Sequence, residues 1–150
     1  METSKLKMEK LKDLIKGVRV AMLTTLNGDG TLHTRPMWTH QLEADGAFWF
    51  FTRKDAAKIH EIRDDSHVTL NFVDDEDRRF VAVYGRGEVV RDRTIAEKLW
   101  NPIYEAWFPK GLADPDLALI RVRVERVEYW DSPVSKPMQL TGFVKRLTAA

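Results

Sequence analysis

Residues 47–58 read Ala47-Phe48-Trp49-Phe50-Phe51-Thr52-Arg53-Lys54-Asp55-Ala56-Ala57-Lys58, a dense apolar run that ends in a charged turn. Consecutive apolar positions predict a strand covered on both faces, because an amphipathic strand would alternate. The turn leads into a short helix over residues 55–64, with Asp55 as its N-cap and Ile59 and Ile62 on one face. Strand end, basic turn and helix start thus fall within a few residues of each other.

Outward from this segment the chain reads as strands. Val18 to Leu26 alternates, Val20 and Met22 on one side, Ala21 and Leu23 on the other. Asn27-Gly28-Asp29-Gly30 is a hairpin turn. The return strand, Thr31 to Leu42, contains Pro36, which cannot donate to a ladder, so the strand lies at an edge, is bulged or is interrupted there. Asp45-Gly46 then turns into the apolar run. Downstream, His67 to Val73 places Val68, Leu70 and Phe72 on one side, and Asp74 to Arg79 is a charged turn. Phe80 to Arg91 is a long strand in which Gly85 and Gly87 mark a bend. Thr94 and Glu97 have capping-box spacing, and Pro102 suits the first turn of a new helix. Residues 107–116 read as an ordered loop, and Leu117 to Asp131 as the last strand, with Ile120, Val122 and Val124 inward. Before all of these, Leu6, Leu11, Leu14 and Ile15 predict an amphipathic helix ended by Gly17. The tail from Ser132 is poorly patterned. The pattern predicts one mainly β domain over residues 1–150, a six-stranded antiparallel barrel with short helices.

Composition narrows the function. The 24 basic and 23 acidic residues nearly cancel, which argues against a nucleic-acid partner or an anionic membrane surface. Cysteine is absent, so disulfides, thiol nucleophiles and thiolate metal sites are excluded; this suits a reducing cytoplasm, the expected location. No segment has the apolar length of a signal peptide core or a membrane span. His33, His40, His60 and His67 are scattered without ligand spacing, so no metal site is expected. Five Trp, seven Phe and three Tyr include several beside turns, where core packing, a planar ligand or a second subunit would cover them.

Two segments carry chemistry. At Thr52 to Lys58 a hydroxyl, two cations (Arg53 and Lys58) and a helix N-terminus converge, which is what a phosphate requires. Read alone, the segment is better taken as a solvated turn, since strand-to-helix turns with basic residues are common and Asp55 would cap the helix and repel anions. At His33 to Trp38, Pro36 frees the backbone groups of its neighbours for a ligand, and Arg35 can pair with phosphate or an electron-rich ring edge. The alternative is an edge strand protected by its proline.

Taken together, Arg35-Pro36-Met37 after the Asn-Gly-Asp-Gly hairpin, the run Phe48 to Thr52 followed by Lys58, and Trp107-Phe108-Pro109-x-Gly111 before Asp114-Pro115-Asp116 resemble the split β-barrels of the pyridoxamine-phosphate-oxidase superfamily, in its general-stress-protein branch. The resemblance covers roughly residues 6–131. It implies flavin mononucleotide (FMN) held between the subunits of a homodimer. Arg35, Pro36, Met37 and Trp38 would lie along the flavin, with Arg35 toward the phosphate. Phe51 and Thr52 would flank the ring and ribityl chain, with Arg53, Ala57 and Lys58 at the phosphate and Trp107 arriving from the partner subunit. Ala56 and Ala57 stand where the family often has serine, which removes a hydroxyl donor, and the Arg-rich C-terminal signature of the true oxidases is missing, since the tail offers only Lys145 and Arg146. The aromatics Trp100, Tyr104, Trp107 and Phe108 are the expected dimer surface. The implied function is a flavin-dependent oxidoreductase on a small substrate, with a non-catalytic flavin-binding or stress-related carrier as the alternative. No catalytic side chain is assigned, and a deazaflavin or haem stays open in place of FMN.

Overall fold

The computed structural model describes residues 2–39, 46–130 and 137–141. In chain order these form α1 (Glu2–Ile15), β1 (Val20–Leu26), β2 (Leu32–Trp38), β3 (Ala47–Arg53), α2 (Ala57–Asp64), β4 (His67–Asp74), β5 (Arg79–Val90), α3 (Arg93–Leu99), two short 3-10 turns at Pro102–Ala106 and Gly111–Ala113, β6 (Leu117–Trp130) and β7 (Met138–Thr141). The expected continuation of β2 to Leu42, the Asp45 turn residue, His40 and most of the tail lie outside the described residues.

All the pairings are antiparallel, in the order β2-β1-β4-β5-β6-β3, and β7 adds to β6 through Arg126–Tyr129. The described sheet therefore has seven strands where the sequence reading has six. The seventh is four residues with no buried side chain, too short and too exposed to show a pattern in sequence. The sheet curls so that Leu23, Phe48, Phe50, Leu70, Phe72, Val83, Ile120 and Val122 meet in one interior. Strands β2 and β3 are its two ends, and the barrel is split between them. Pro36 sits on that free edge, in unbroken register with Met22. Of the three readings open to Pro36, the edge strand is the one the protein uses.

The helices close the ends. Leu11, Leu14 and Ile15 of α1 enter the core, whereas Leu6 is 63% exposed and does not take part. Gly17, at φ 83°, ends α1 in the left-handed region. Ile59 and Ile62 of α2 plug the barrel beside Gly87, where a Cβ would press on Ile62. The bend at Gly85 is a β-bulge: Tyr84 pairs with Arg126 and Gly85 with Val124, which leaves Glu125 without a partner. A Cβ at Gly85 would overlap the Arg123 carbonyl oxygen, so only glycine fits. The extra residue reverses the alternation of β6, and after Val124 the buried positions become Val127 and Tyr129.

Two caps differ from expectation. The N-cap of α2 is Ala56, with no side-chain hydrogen bond, and Asp55 is exposed beside Arg53. In α3 the Asp92 carboxylate accepts the Ile95 N–H at 3.1 Å, so Thr94 lies inside the helix rather than capping it. In both cases the candidate capping residue stands two positions or fewer from the true cap, close enough for composition alone to misplace it. At the next helix Asn101 caps the Pro102 turn by accepting the Ile103 N–H at 3.0 Å. No helix among the described residues is long and apolar enough to cross a membrane.

Candidate functional site

The apolar run of β3 has two faces with two destinations. Phe48 and Phe50 fill the barrel, while Ala47 and Trp49 pack outward against Ala96 and Leu99 of α3 and Leu119 of β6. Phe51, on the outer face, is met by Trp100 at 5.3 Å, Tyr104 at 5.2 Å and Phe108 at 6.5 Å between ring centroids. Across the split, Trp38 at the end of β2 lies 5.4 Å from Trp107. The aromatics expected to form a dimer surface are thus engaged within their own chain. Tyr104 is buried, Trp100 and Phe108 are half-buried, and Trp107 alone of the four is exposed to any large extent, at 52%. The resemblance brings Trp107 from a partner subunit; within the one chain its ring lies beside Trp38.

A pocket of about 390 Å³ opens in the split, within the range of small-ligand sites. Pro36, Met37 and Trp38 form one wall, Phe51, Tyr104, Trp107 and Phe108 the other, and Thr52, Arg53 and Lys58 one end. Of the residues singled out in the sequence, these include all but Arg35 and Ala57. Ala57 is exposed at the first turn of α2, and Ala56 lines the pocket in its place. Trp49, Asp55, Ala56, Tyr104 and Phe108 are additional lining residues.

The polar end is electrically uneven. Arg53 is spread over carboxylates: Nη1 donates to Asp114 at 3.2 Å, Nη2 to Asp116 at 3.4 Å, and Asp55 lies 3.9 Å from Nε. Asp114 is buried and also accepts the Asp116 N–H at 2.9 Å, so the Asp-Pro-Asp loop pins this arginine. Lys58 differs. It occupies the second position of α2, half-buried, and forms no salt bridge among the described residues. Burial pushes its pKa down and the Arg35 charge adds to this, with Glu61 partly opposing. The N–H groups of Ala57 and Lys58 precede the first α-helical acceptor and point out of the same helix end. A cation short of counter-charge, beside free N–H donors and the buried Thr52, can receive a phosphate.

Arg35 points away from the pocket wall into a second polar cluster. Its Nη1 donates to Thr25 Oγ1 at 2.7 Å, and its Nη2 donates to Glu61 Oε1 at 3.0 Å and to His33 Nδ1 at 2.6 Å. Thr25, 1% exposed, donates to Glu61 Oε2 at 2.9 Å. His33 Nδ1 also lies 3.1 Å from Glu61; unprotonated it accepts from Arg35, protonated it donates to the carboxylate. Burial pushes the Glu61 carboxyl up, but the His33 and Thr25 hydrogen bonds and the Arg35 charge outweigh it, and the pKa ends lowered. Neither Glu61 nor Thr25 stands out in the sequence. The one available sign is that Lys58 and Glu61 are three apart on a helix and so share a face.

Against known proteins, the chain is 32% identical to a general stress FMN/FAD binding protein from Xanthomonas citri, with 94% of this chain and 99% of that chain covered at a TM-score of 0.71. A protein from Clostridium acetobutylicum, related to general stress protein 26 and placed in the pyridoxinephosphate oxidase family, superposes at a TM-score of 0.77 over 92% of this chain and 95% of that one, at 22% identity, and supports the split-barrel fold. Protein bli-3 of Neurospora crassa is 26% identical over 133 residues, and the match covers 82% of this chain and only 64% of the fungal protein's length. Residues 7–149 match the family described as pyridoxamine 5'-phosphate oxidase like, and the chain, a split barrel with the pocket in its split, belongs to that family.

Proposed function

We propose that the chain binds FMN in the pocket between β2 and α2 and acts as a flavin-dependent oxidoreductase on a small substrate. The observation that carries this reading is Lys58: a half-buried cation with no salt bridge among the described residues, its charge only partly offset by Glu61, at a helix N-terminus and at one end of an aromatic-walled pocket. The residues fit the group in its parts. Lys58, Thr52 and the α2 N–H groups would hold the phosphate. Met37, Trp38, Phe51 and Trp107 would enclose the ring, and the backbone of Trp38, on the same open side of the edge strand as Pro36, is available to the ring's polar rim. Bound there, a flavin supplies two-electron redox chemistry, and the protein supplies orientation and exclusion of water. The Xanthomonas protein's description as an FMN/FAD binding protein supports the ligand class.

A homodimer belongs to the same proposal. Val20, Met22 and Trp107 leave 43%, 38% and 52% of their surface exposed, and Val20 and Met22 are paired with Trp38 and Pro36 at the rim of the pocket. A second copy over this face would cover both the apolar strip and the mouth of the split. Sedimentation of the FMN-loaded protein as a monomer at micromolar concentration would remove this part.

One observation favours a carrier in place of an enzyme. Among the described residues the titratable groups lining the pocket are Arg53, Asp55, Lys58 and Tyr104, and of these the ring end has the Tyr104 phenol, its pKa raised by burial, as a proton donor. The absorbance spectrum separates the readings. Flavin bands at about 375 and 450 nm establish the ligand. Their bleaching by NADH or NADPH supports the oxidoreductase, bands unchanged by either support the carrier, and a protein that takes up no flavin refutes both.

A further inference from the structure

The cluster around Glu61 ties together the two ends of the pocket. Glu61 lies on α2, three residues after Lys58, and is 8% exposed. Its carboxylate is held by Thr25 of β1 at 2.9 Å and by Arg35 of β2 at 3.0 Å, and Arg35 also bonds Thr25 at 2.7 Å. The residue after Arg35 begins the pocket wall Pro36-Met37-Trp38. One closed set of hydrogen bonds therefore joins the strand on the ring side to the helix on the phosphate side. Removing either partner of such a buried pair would leave the other as a stranded charge, so Arg35 and Glu61 are held to each other.

We propose that Glu61 is a positioning residue for the flavin site, and that Arg35 acts through Glu61 rather than by touching the phosphate. The pair sets the separation between Lys58 and the β2 wall. It also commits the Arg35 guanidinium to Glu61 and Thr25, which leaves Lys58 to face the ligand. This rests on the flavin reading above and deepens it. A ligand that needs both ends of the pocket feels the clamp, and a ligand that uses only the ring end does not.

The test is a double-mutant cycle on Glu61→Gln and Arg35→Gln, read by FMN and riboflavin titration of the full-length protein. If the clamp operates, each single variant loses about tenfold or more in FMN affinity and the double variant loses no more than either single one, the signature of coupled residues. Riboflavin affinity then moves by less than about threefold throughout, a selectivity that general loss of structure would not produce. Thr25→Val, which leaves both charges in place, should show a smaller loss of the same FMN-selective kind, and it serves as the check if a charge variant fails to fold. If Arg35 instead contacts the phosphate, Glu61→Gln leaves FMN affinity unchanged or raises it, while Arg35→Gln costs the same in both backgrounds; that result overturns the proposal. Wild-type protein that binds FMN beside an equally competent Glu61→Gln variant sinks the clamp alone. Wild-type protein that binds neither flavin sinks the pocket reading, and the clamp with it.

Discussion

Replacing Lys58 by alanine separates the phosphate from the rest of the ligand. In the structure the Lys58 charge has no salt bridge among the described residues, and its pKa is lowered by burial and by Arg35. A phosphate dianion would supply the missing counter-charge, in a bond of the charge-assisted kind worth about 1.5–3 kcal/mol. Its loss weakens FMN by roughly 10- to 150-fold. The helix N–H groups remain, so binding is reduced rather than abolished. Riboflavin has no phosphate and should lose less than about threefold. Titration of both flavins by fluorescence quenching measures the two losses side by side. A stability measurement guards the inference. A lysine whose folded pKa lies below its unfolded value penalises folding; the penalty is fully present below the lowered value and fades as pH rises from there toward 10.5. The variant Lys58→Met therefore leaves the melting temperature of the flavin-free protein unchanged or raises it. Equal loss of FMN and riboflavin, or a clear fall in the ligand-free melting temperature, would show that Lys58 holds the fold and that the phosphate site lies elsewhere.

Trp107→Ala has the opposite signature: it removes a ring 5.4 Å from Trp38 and should weaken FMN and riboflavin alike, by about 2- to 13-fold for an aromatic contact of roughly 0.5–1.5 kcal/mol. An FMN-selective loss would contradict that placement. Glu61 has a lowered pKa, so its contribution to stability is present above the unfolded value near 4.5 and is lost as pH falls through the lower folded value. Urea midpoints over roughly pH 3 to 6 should therefore fall more steeply for the wild type than for Glu61→Gln; parallel curves would place the acid-sensitive carboxylate elsewhere. Gly85→Ala drives a Cβ into the Arg123 carbonyl and should cost about 3 kcal/mol or more, seen as a lowered denaturation midpoint, whereas Gly28→Ala, with open space around it, should cost under about 1 kcal/mol.

The strands were legible because each carries its own signal. Ala21 and Leu23 alternate with exposed neighbours, Val68, Leu70 and Phe72 do the same, and the run from Phe48 to Phe51 has apolar cover on both faces. Period-two patterning is written into consecutive residues, so it survives without knowledge of the fold. The pocket residues of β2 and of the α2 turn were legible for a related reason. A proline in a strand, and a lysine in a first helical turn, each announce a local backbone state. Which partners those residues face is not a local property. Arg35 meets Glu61 across 26 residues of chain and Arg53 meets Asp114 across 61, and nothing in either neighbourhood specifies the pairing. Trp107 in sequence serves equally for a core, a ligand or a second subunit. Only the curl of the sheet, bringing the end of β2 beside the outer face of β3, sets it on Trp38. Sequence alone determined the strands, their inward faces and two short segments that line the pocket, because hydrophobic periodicity and turn chemistry are written in consecutive residues. Tertiary structure decided which cation is neutralised and which is left open, because charge pairing depends on distance in space.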